Sequence, residues 1–369
     1  MRIITFKKRT FLHNFSSIFK ICVSIAIFVS RMIKEATDCS IVIEFPSEIS
    51  HYKYLKTIGT GAYSVVTLVE DVRNQGLFAC KIFSRKDLVE REQFIRFEQE
   101  TRIQKNIKHP NLIEVVDIIY DTDLIFVIME HCPNGELFEY VATHPKINSM
   151  VIQQIFLQIT RGLAFLHSKD ISHRDIKPEN IFLTKDLCVK IGDFGFAKEC
   201  AYSRNGLFDT PCGSVYYAAP EILCGHPYDG KKSDIWSLGI VLFCLTTGAL
   251  PWTESKKKLL VKQIIKCDYM IPDFLPGVVK STIDSCLKMD PNQRPTAEEI
   301  LNGVYLGKLN QVYQNGYTYM LESRSETGLK NIIERKRRSL IVKPEANLIV
   351  RIKTVNPSLS IAPRLSTRR

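Results

Sequence analysis

One stretch constrains the fold of this chain more than any other: "DIWSLGIVLFCLTTGALPW" at 234–252 is apolar almost all round. A helix without a polar face has to be buried, either across a membrane or inside a large lobe. A membrane span needs about 20 apolar residues. This run is shorter, includes Thr246 and Thr247 and ends in "GALP". The sequence therefore predicts a helix buried at the centre of a large helical lobe.

The charge distribution separates the body of the chain from its ends. The 369 residues are 45% hydrophobic and 24% charged, which excludes disorder throughout, and the net charge is +11. Residues 1–50 contain 7 Lys and Arg against 4 Asp and Glu, residues 307–369 contain 13 against 4, and residues 51–306 contain 30 against 31. The near-neutral body argues against a nucleic-acid groove, and the ends are predicted to be basic tails.

The eleven cysteines are odd in number and form no CxxC pair. This pattern favours reduced thiols in a cytoplasmic or nuclear protein over a zinc site or a disulfide framework. Residues 1–50 are predicted to be a dispensable apolar and basic extension. Residues 21–30 are apolar, but ten residues are too few for a membrane span. Three interpretations stay open for this segment: an extension ahead of a true start at Met32, a membrane-surface anchor, or a secretory signal.

Hydrophobic periodicity divides the body into two lobes, which gives an α+β fold. The first, at about 51–132, is predicted to be a small antiparallel sheet with one main helix over 85–107. Its strands are expected at 52–59, 64–72, 77–83, 112–120 and 124–130. The second, at about 133–306, is larger and mostly helical, with a short strand pair at 181–184 and 188–192 and a helix capped by Thr296. Residues 307–369 form a basic tail that is predicted to be largely disordered.

Lys81 is the first candidate for chemistry, because it lies inside the apolar strand "FACKIF". A buried ammonium group needs an anionic partner. In the following helix Glu100 shares a face with Phe97, Gln104 and Ile107. A Lys81–Glu100 pair would satisfy both charges, although such a pair is also compatible with a purely structural role.

Two polar loops follow in the second lobe. "HRDIKPEN" contains Asp175, Lys177 and Asn180, and "IGDFGFAK" places Asp193 after a short strand, with Gly195 expected to allow the change of direction. Asn180 and Asp193 offer the oxygen ligands that Mg²⁺ takes alongside phosphates. Asp175 is then free to accept a proton from a hydroxyl. A solvated connection remains the alternative for either loop alone.

The segment "GTGAYS" at 59–64 lies between two strands. This context excludes a Rossmann fingerprint and a Walker loop, both of which lead into a helix. Two interpretations remain. The glycines could let backbone N–H groups approach phosphates closely, or a tight hairpin could require them for its own geometry.

The order of these polar residues resembles the eukaryotic protein kinase family of the Ser/Thr type. The resemblance covers roughly 52–306 and rests on Gly59-x-Gly61, Ala79-Cys-Lys81, Glu100, His173-Arg-Asp175, Asn180, Asp193-Phe-Gly195, Ala219-Pro-Glu221, Asp234-x-Trp236 and Arg294. It implies a two-lobed kinase fold and transfer of the γ-phosphate of ATP, with Mg²⁺, to Ser or Thr of protein substrates. It also implies a monomer.

The resemblance implies a role for each matching residue. Asp175 would orient the attacking hydroxyl, Lys177 would neutralise the transferred phosphoryl group, and Asn180 and Asp193 would hold magnesium. Lys81, paired with Glu100, would bind the α- and β-phosphates. The other implied nucleotide contacts are the loop residues Gly59, Thr60, Gly61, Ala62, Tyr63 and Ser64, the adenine-lining Ile58, Val66, Ala79, Met129 and Phe182, the backbone of Glu130 and Cys132, and Glu136 at the ribose.

Regulation and substrate choice are also implied. Thr210 occupies the place of an activating phosphate, added by an upstream kinase, and Arg174 would bind it. The chain is most similar to the calcium/calmodulin-dependent group, in particular its AMP-activated-kinase-like members. Glu136 and Glu179 match positions that select basic residues before the phosphoacceptor. In the tail, Ser339 follows "RKRR", which suggests an autophosphorylation or pseudosubstrate site, a calmodulin-binding helix, a nuclear import signal, or a solvated basic segment.

Three residues depart from the family pattern: Ser64 replaces the third glycine of the loop, Gln104 stands where an apolar residue is usual, and Phe182 stands where leucine is usual. The competing hypothesis is a catalytically inactive pseudokinase scaffold. Such a protein would be expected to lack Lys81, Asp175, Asn180 or Asp193, and all four are present.

Overall fold

The computed structural model describes residues 44–46, 48–60, 64–90, 93–144, 147–200, 206–210, 212–302 and 353–355. The expectations for residues 1–43, for Gly61, Ala62 and Tyr63, and for Ser339 and nearly all of the tail lie outside these residues. Two short segments near the ends pair in parallel: β1 (Glu44–Pro46) and β12 (Lys353–Val355).

An antiparallel sheet of six strands forms the first lobe, in the order β2-β3-β4-β5-β7-β6. One face packs a core that includes Val65, Ile82 and Phe126, and the other packs Phe83 and Val127 against helices. This division follows from the two-residue period of a strand. The strands are β2 (Glu48–Ile49), β3 (Tyr52–Thr60), β4 (Ser64–Asp71), β5 (Gly76–Ser84), β6 (Val115–Tyr120) and β7 (Leu124–Glu130).

The helical part of the first lobe differs from the prediction of one helix over 85–107. The structure has two helices, α1 (Arg85–Glu90) and α2 (Phe94–Asn106). The N–H of Gln93 donates to the carbonyl of Leu88, five residues back, at 2.8 Å. This bond is one residue wider than the bonds of an α-helix and ends α1. No glycine or proline lies in the segment, so the sequence carries no local signal for the break.

Helices dominate the second lobe, and α6 lies at its centre. All residues of α6 from Ser233 to Thr246 are buried, so the prediction of a buried central helix is confirmed. Asp229 caps its first turn, and Gly248, with φ +70°, ends it. In the described part of the chain, no helix is long and apolar enough to cross a membrane. The helices are α3 (Leu137–Thr143), α4 (Ser149–Ser168), α5 (Pro220–Leu223), α6 (Gly230–Thr247), α7 (Lys257–Ile265), α8 (Gly277–Cys286) and α9 (Ala297–Asn302).

Two short strand pairs interrupt the helices and carry the loops of the site. The predicted pair is β9 (Ile181–Leu183) with β10 (Val189–Ile191), and a second pair is β8 (Ile171–Ser172) with β11 (Lys198–Glu199). The chain between β8 and β9 contains "HRDIKPEN", and the chain between β10 and β11 contains "GDFGFA". Each polar loop therefore connects one strand pair to the other.

An ion pair and a helix cap stabilise the last part of the second lobe. Arg294, which is 1% exposed, donates two parallel hydrogen bonds to the carboxylate of Glu221, at 2.7 and 2.8 Å. A paired geometry of this kind satisfies both buried charges. The predicted cap of α9 is confirmed, because Thr296 Oγ1 accepts the N–H of Glu299 at 3.1 Å while Glu299 Oε2 accepts the N–H of Thr296 at 2.7 Å.

Candidate active site

Lys81 lies in β5 on the face of the sheet that meets α2. Its Nζ is 2.8 Å from Oε1 of Glu100 and 3.8 Å from Oδ1 of Asp193. Burial acts to lower the pKa of Lys81, but the two carboxylates outweigh it, and the net pKa lies above the usual value. The predicted Lys81–Glu100 pair is therefore formed, and the ammonium stays charged between two acids from different lobes.

Asp193 adopts a backbone conformation that is unfavourable for a non-glycine residue. Its φ is +57°, so the change of direction predicted at Gly195 occurs at Asp193 instead. The next side chain, Phe194, is fully buried with its ring 5.1 Å from that of His173, and this packing holds the turn. Burial acts to raise the pKa of Asp193, but Lys81 and Lys177 hold it below the usual value. Asp193 is therefore an anion.

Three donors converge on the carboxylate of Asp175, which is 5% exposed. Lys177 Nζ donates to Oδ2 at 2.6 Å, Asn180 Nδ2 donates to Oδ2 at 2.9 Å, and the backbone N–H of Ser214 donates to Oδ1 at 3.2 Å. Burial acts to lower the pKa of Lys177, but Asp175 outweighs it and the net pKa is raised. The acid, base and amide predicted in one loop are thus within hydrogen-bond distance, and the carboxylate has a fixed direction.

Asp234 of α6 anchors the start of this loop, a role that the sequence analysis did not assign. Its Oδ2 accepts the N–H of His173 at 2.8 Å, and its Oδ1 accepts the N–H of Arg174 at 2.7 Å. The ring of His173 continues the network, with Nδ1 accepting the N–H of Asp175 at 3.3 Å. The available signal was a carboxylate on an otherwise apolar helix, since a buried carboxylate needs donors from elsewhere in the fold.

Most residues expected around an adenine lie close to Lys81. Val66 is directly opposite Lys81, and Ala79 is directly opposite Met129. Opposed residues and residues two apart share one face of a sheet, so these four side chains form one surface. From the second lobe, Phe182 lies half-buried in β9 and is bridged to Glu136. Ile58, near the end of β3, is 42% exposed.

Glu130 ends β7, and Cys132 follows it where the chain passes to the second lobe. The carboxylate of Glu130 is occupied, since Oε2 lies 2.8 Å from Lys190 Nζ and Oε1 accepts the N–H of Glu114 at 2.9 Å. The side chain of Glu130 is therefore not available to a ligand, and its backbone N–H already donates to the carbonyl of Glu114 at 3.1 Å. Burial raises the pKa of the Cys132 thiol to about 12, which makes it a neutral, unreactive group.

Of the two glycines in "GTGAYS", the structure describes Gly59. Its φ is not positive, and a Cβ added there would meet only Val66, at 3.8 Å. The hairpin geometry therefore does not require glycine at this position, which favours the alternative of close approach to a ligand. Thr60 ends β3 before Gly61, and Ser64 begins β4.

Thr210 and Arg174 meet through a residue that the sequence analysis missed. The hydroxyl of Tyr228 donates to the carbonyl of Thr210 at 3.1 Å and accepts Nη1 of Arg174 at 3.3 Å. Nε of Arg174 donates to the carbonyl of Phe196 at 2.8 Å. The side chain of Thr210 lies in an exposed position. A single tyrosine in "HPYDGK" has no periodic pattern that would have revealed this contact.

The donor set suits magnesium better than zinc. Asn180 Nδ2 donates to both the carbonyl and the carboxylate of Asp175, so its amide oxygen is the atom left for a metal, and Asp193 is the ionised carboxylate. Among the described residues, no three His, Cys, Asp or Glu side chains form a metal-binding group. Mg²⁺ takes one or two protein oxygens together with water and phosphate, whereas zinc sites need three or four protein ligands.

Comparisons with known proteins agree with this geometry. The protein kinase domain family matches residues 52–306. The chain is also similar to the maternal embryonic leucine zipper kinase of Xenopus laevis, with 32% identity over 297 residues. That alignment covers 79% of this chain but 44% of the relative, so the chain spans less than half the length of that curated protein. With its two lobes, its ordered motifs and this match, the chain belongs to the protein kinase domain family.

Proposed function

We propose that this protein is an ATP-dependent Ser/Thr protein kinase of the non-specific type, which transfers the γ-phosphate of ATP to protein hydroxyls. The observation that carries the proposal is the joint arrangement of Lys81 with Glu100 at 2.8 Å and of Asp175 with Lys177 at 2.6 Å. The first pair provides a fixed cation for phosphates, and the second provides an oriented acceptor for a hydroxyl.

Positioning and electrostatics supply most of the catalysis in phosphoryl transfer. Asp175 accepts the hydrogen bond of the Ser or Thr hydroxyl and directs its oxygen at the γ-phosphorus. The new P–O bond forms as the bond to the β–γ bridging oxygen breaks, Asp175 takes the proton of the hydroxyl, and ADP leaves. Lys177 neutralises charge on the transferred group, while Lys81 binds the α- and β-phosphates. Mg²⁺ bound by Asn180 and Asp193 would screen the phosphate charges.

The pseudokinase alternative finds no support in the site. A scaffold without activity has no need for an ionised Asp193 in a strained conformation, which costs of order 1–3 kcal/mol. The decisive experiment is phosphate transfer from ATP and Mg²⁺ to a Ser peptide with upstream Arg residues. Asp193→Ala is expected to lower kcat by about a hundredfold or more, and Asp209→Ala, an exposed carboxylate, serves as the control. Transfer that survives Asp193→Ala would refute this mechanism.

We propose activation by phosphorylation of Thr210 by an upstream kinase. A phosphate adds about −1.5 to −2 charge at neutral pH, and Arg174 and Lys198 are the nearby cations that would bind it. Support comes from the exposed position of Thr210 and from Tyr228, which bonds to both Thr210 and Arg174. Thr210→Ala is expected to abolish activation by cell lysate, and unchanged activation together with no phosphate on Thr210 would refute the assignment.

We propose protein substrates with Arg or Lys upstream of the acceptor, selected by Glu136 and Glu179. The basic tail is the candidate pseudosubstrate or calmodulin-binding segment, and Ser339 is its candidate acceptor. Removing residues after 306 tests both roles. If basal and calmodulin-dependent activity are unchanged by the truncation, the tail has neither role.

We propose a monomer located in the cytoplasm or nucleus. The described cysteines are free thiols, as is usual in a reducing compartment. The proposed extent of the catalytic unit is 51–306. The alternative is membrane association through residues 1–31. Comparing the membrane binding of the full chain with that of a protein starting at Met32 would detect it.

A further inference from the structure

Phe208 is the buried residue of an exposed segment. Its side chain is 3% exposed, whereas Leu207, Asp209 and Thr210 on either side of it are exposed. Its backbone is bound to Tyr228 in both directions, because the N–H of each residue donates to the carbonyl of the other at 2.8 Å. This pair attaches the segment to the second lobe beside the hydrogen bond from the Tyr228 hydroxyl to the carbonyl of Thr210.

The ring of Phe208 lies beneath two cations. The guanidinium carbon of Arg174 is 4.6 Å from the ring centroid, and Nζ of Lys198 is 5.8 Å from it. Both distances are within the range of cation–π attraction, which contributes about 0.5–2 kcal/mol. These are the two cations that are proposed above to bind a phosphate on Thr210. The aromatic face therefore gives Arg174 a partner before any phosphate is present.

Two paths lead from Phe208 to the reacting group. Through Arg174, the ring contacts the residue next to Asp175. Along the backbone, the segment runs through Gly213 to Ser214, whose N–H donates to Asp175 at 3.2 Å. A displacement of Phe208 would therefore release both the neighbour of Asp175 and one of the hydrogen bonds that orient its carboxylate.

We infer that Phe208 is a positioning residue, which holds Arg174 and residues 206–210 and 212–214 in the catalytic arrangement when Thr210 carries no phosphate. The inference rests on the proposed function, in which Asp175 orients the acceptor hydroxyl and Thr210 is phosphorylated. It predicts substantial activity without phosphate, and it predicts that the contribution of Phe208 becomes small once a phosphate binds Arg174.

The test compares Phe208→Ala, Phe208→Leu and the matched control Leu207→Ala in the full chain. Each is prepared with Thr210→Ala and, separately, with phosphothreonine installed at position 210 during translation. Leucine retains apolar volume but removes the aromatic face, so it separates the contact with Arg174 from simple burial. The assays are kcat and KM for ATP with a basic Ser peptide, and hydrogen exchange at the amides of residues 206–210 and 212–214.

Without phosphate, both Phe208 variants are expected to lose about tenfold in kcat, as follows from about 1.4 kcal/mol per factor of ten, with KM for ATP within about twofold. With phosphothreonine the loss is expected to shrink to about twofold. Leu207→Ala is expected to match its parent in both forms. An unchanged kcat without phosphate, or an equal loss with and without phosphate, would overturn the inference.

The exchange measurement separates failure of this inference from failure of the proposed function. If the parent protein transferred no phosphate to any peptide, the function would fail, yet exchange at residues 206–210 and 212–214 would still report on Phe208. Faster exchange in both Phe208 variants, but not in Leu207→Ala, supports the positioning role. Equal exchange in all three contradicts it.

Discussion

Asp234 and Arg174 are joined by a 2.7 Å hydrogen bond, from the backbone N–H of Arg174 to a carboxylate that is 1% exposed. The same carboxylate accepts the N–H of His173 at 2.8 Å and lies 3.0 Å from Nε2 of His167. The central helix of the larger lobe therefore fixes the two residues that precede Asp175. The carboxylate of Asp234 thus links the buried helix to the loop that contains Asp175.

Asp234→Asn tests this coupling. An asparagine replaces one acceptor oxygen by a donor, so one backbone N–H loses its partner and two donors face each other. A buried unsatisfied group costs about 1–3 kcal/mol, and we expect kcat to fall by about ten- to a hundredfold with a lower melting temperature. Asp229→Asn on the same helix is the matched control, because Asn caps a helix about as well as Asp. Equal losses in both variants would contradict the assigned role of Asp234.

Glu100→Gln tests the ion pair between the first-lobe sheet and α2. Glutamine keeps the shape of the side chain but removes the charge that raises the pKa of Lys81. Lys81 is then left with Asp193, at 3.8 Å, as its nearest anion. We expect kcat/KM to fall by about tenfold or more. The control is Glu98→Gln, an exposed residue of the same helix, for which kcat/KM is expected to stay within about twofold of the wild type. An equal loss in this variant would mean that a change in α2, and not the loss of the ion pair, lowers the activity.

The lowered pKa of Asp193 predicts a pH dependence with a definite sign. The ionised carboxylate contributes to the unfolding free energy in full above the ordinary carboxyl pKa, near 3.9. This contribution is lost as the pH falls through the lower pKa of the folded state. We expect the difference in unfolding free energy between the wild type and Asp193→Asn to be constant from about pH 5 to about pH 8. Below about pH 4 the unfolding free energy of the wild type should fall relative to that of Asp193→Asn. Urea unfolding at each pH measures this, and the opposite shift would contradict the assignment.

The elements that the sequence predicts well are those with local or periodic signals. The strands from Tyr52 to Glu130 follow hydrophobic patterns of period 2, and α6 is recognised by a run that is apolar on all sides. The Lys81–Glu100 pair is also predictable, because two charges on apolar faces have few ways to be satisfied.

The missed features depend on contacts between distant segments. The segment between α1 and α2 contains no glycine or proline that would predict a break, and the positive φ of Asp193 precedes a fully buried Phe194 whose burial depends on the rest of the fold. Phe208 is one aromatic residue in a polar stretch, and its burial follows only from Tyr228 and Arg174. Tertiary contacts of this kind leave no trace in local propensity.

Gly213 provides a test of how closely the segment approaches Asp175. Its φ is +86°, and an added Cβ would lie 2.9 Å from the carbonyl oxygen of Arg174 and 3.3 Å from Oδ1 of Asp175. Gly206 in the same segment has φ +78° with nothing within 4 Å of an added Cβ. Alanine at either position meets the same backbone penalty, about 1–2 kcal/mol, but only Gly213→Ala adds a clash at the catalytic loop.

We therefore expect Gly213→Ala to lower kcat for a peptide substrate by about a hundredfold, with KM for ATP within about twofold, because the clash moves Asp175 and not the nucleotide contacts. Gly206→Ala is expected to lower kcat by less than about threefold. Steady-state kinetics of both variants, alongside their melting temperatures, separates the two effects. Losses of equal size would mean that backbone strain in the segment, and not contact with Asp175, governs its contribution to the reaction.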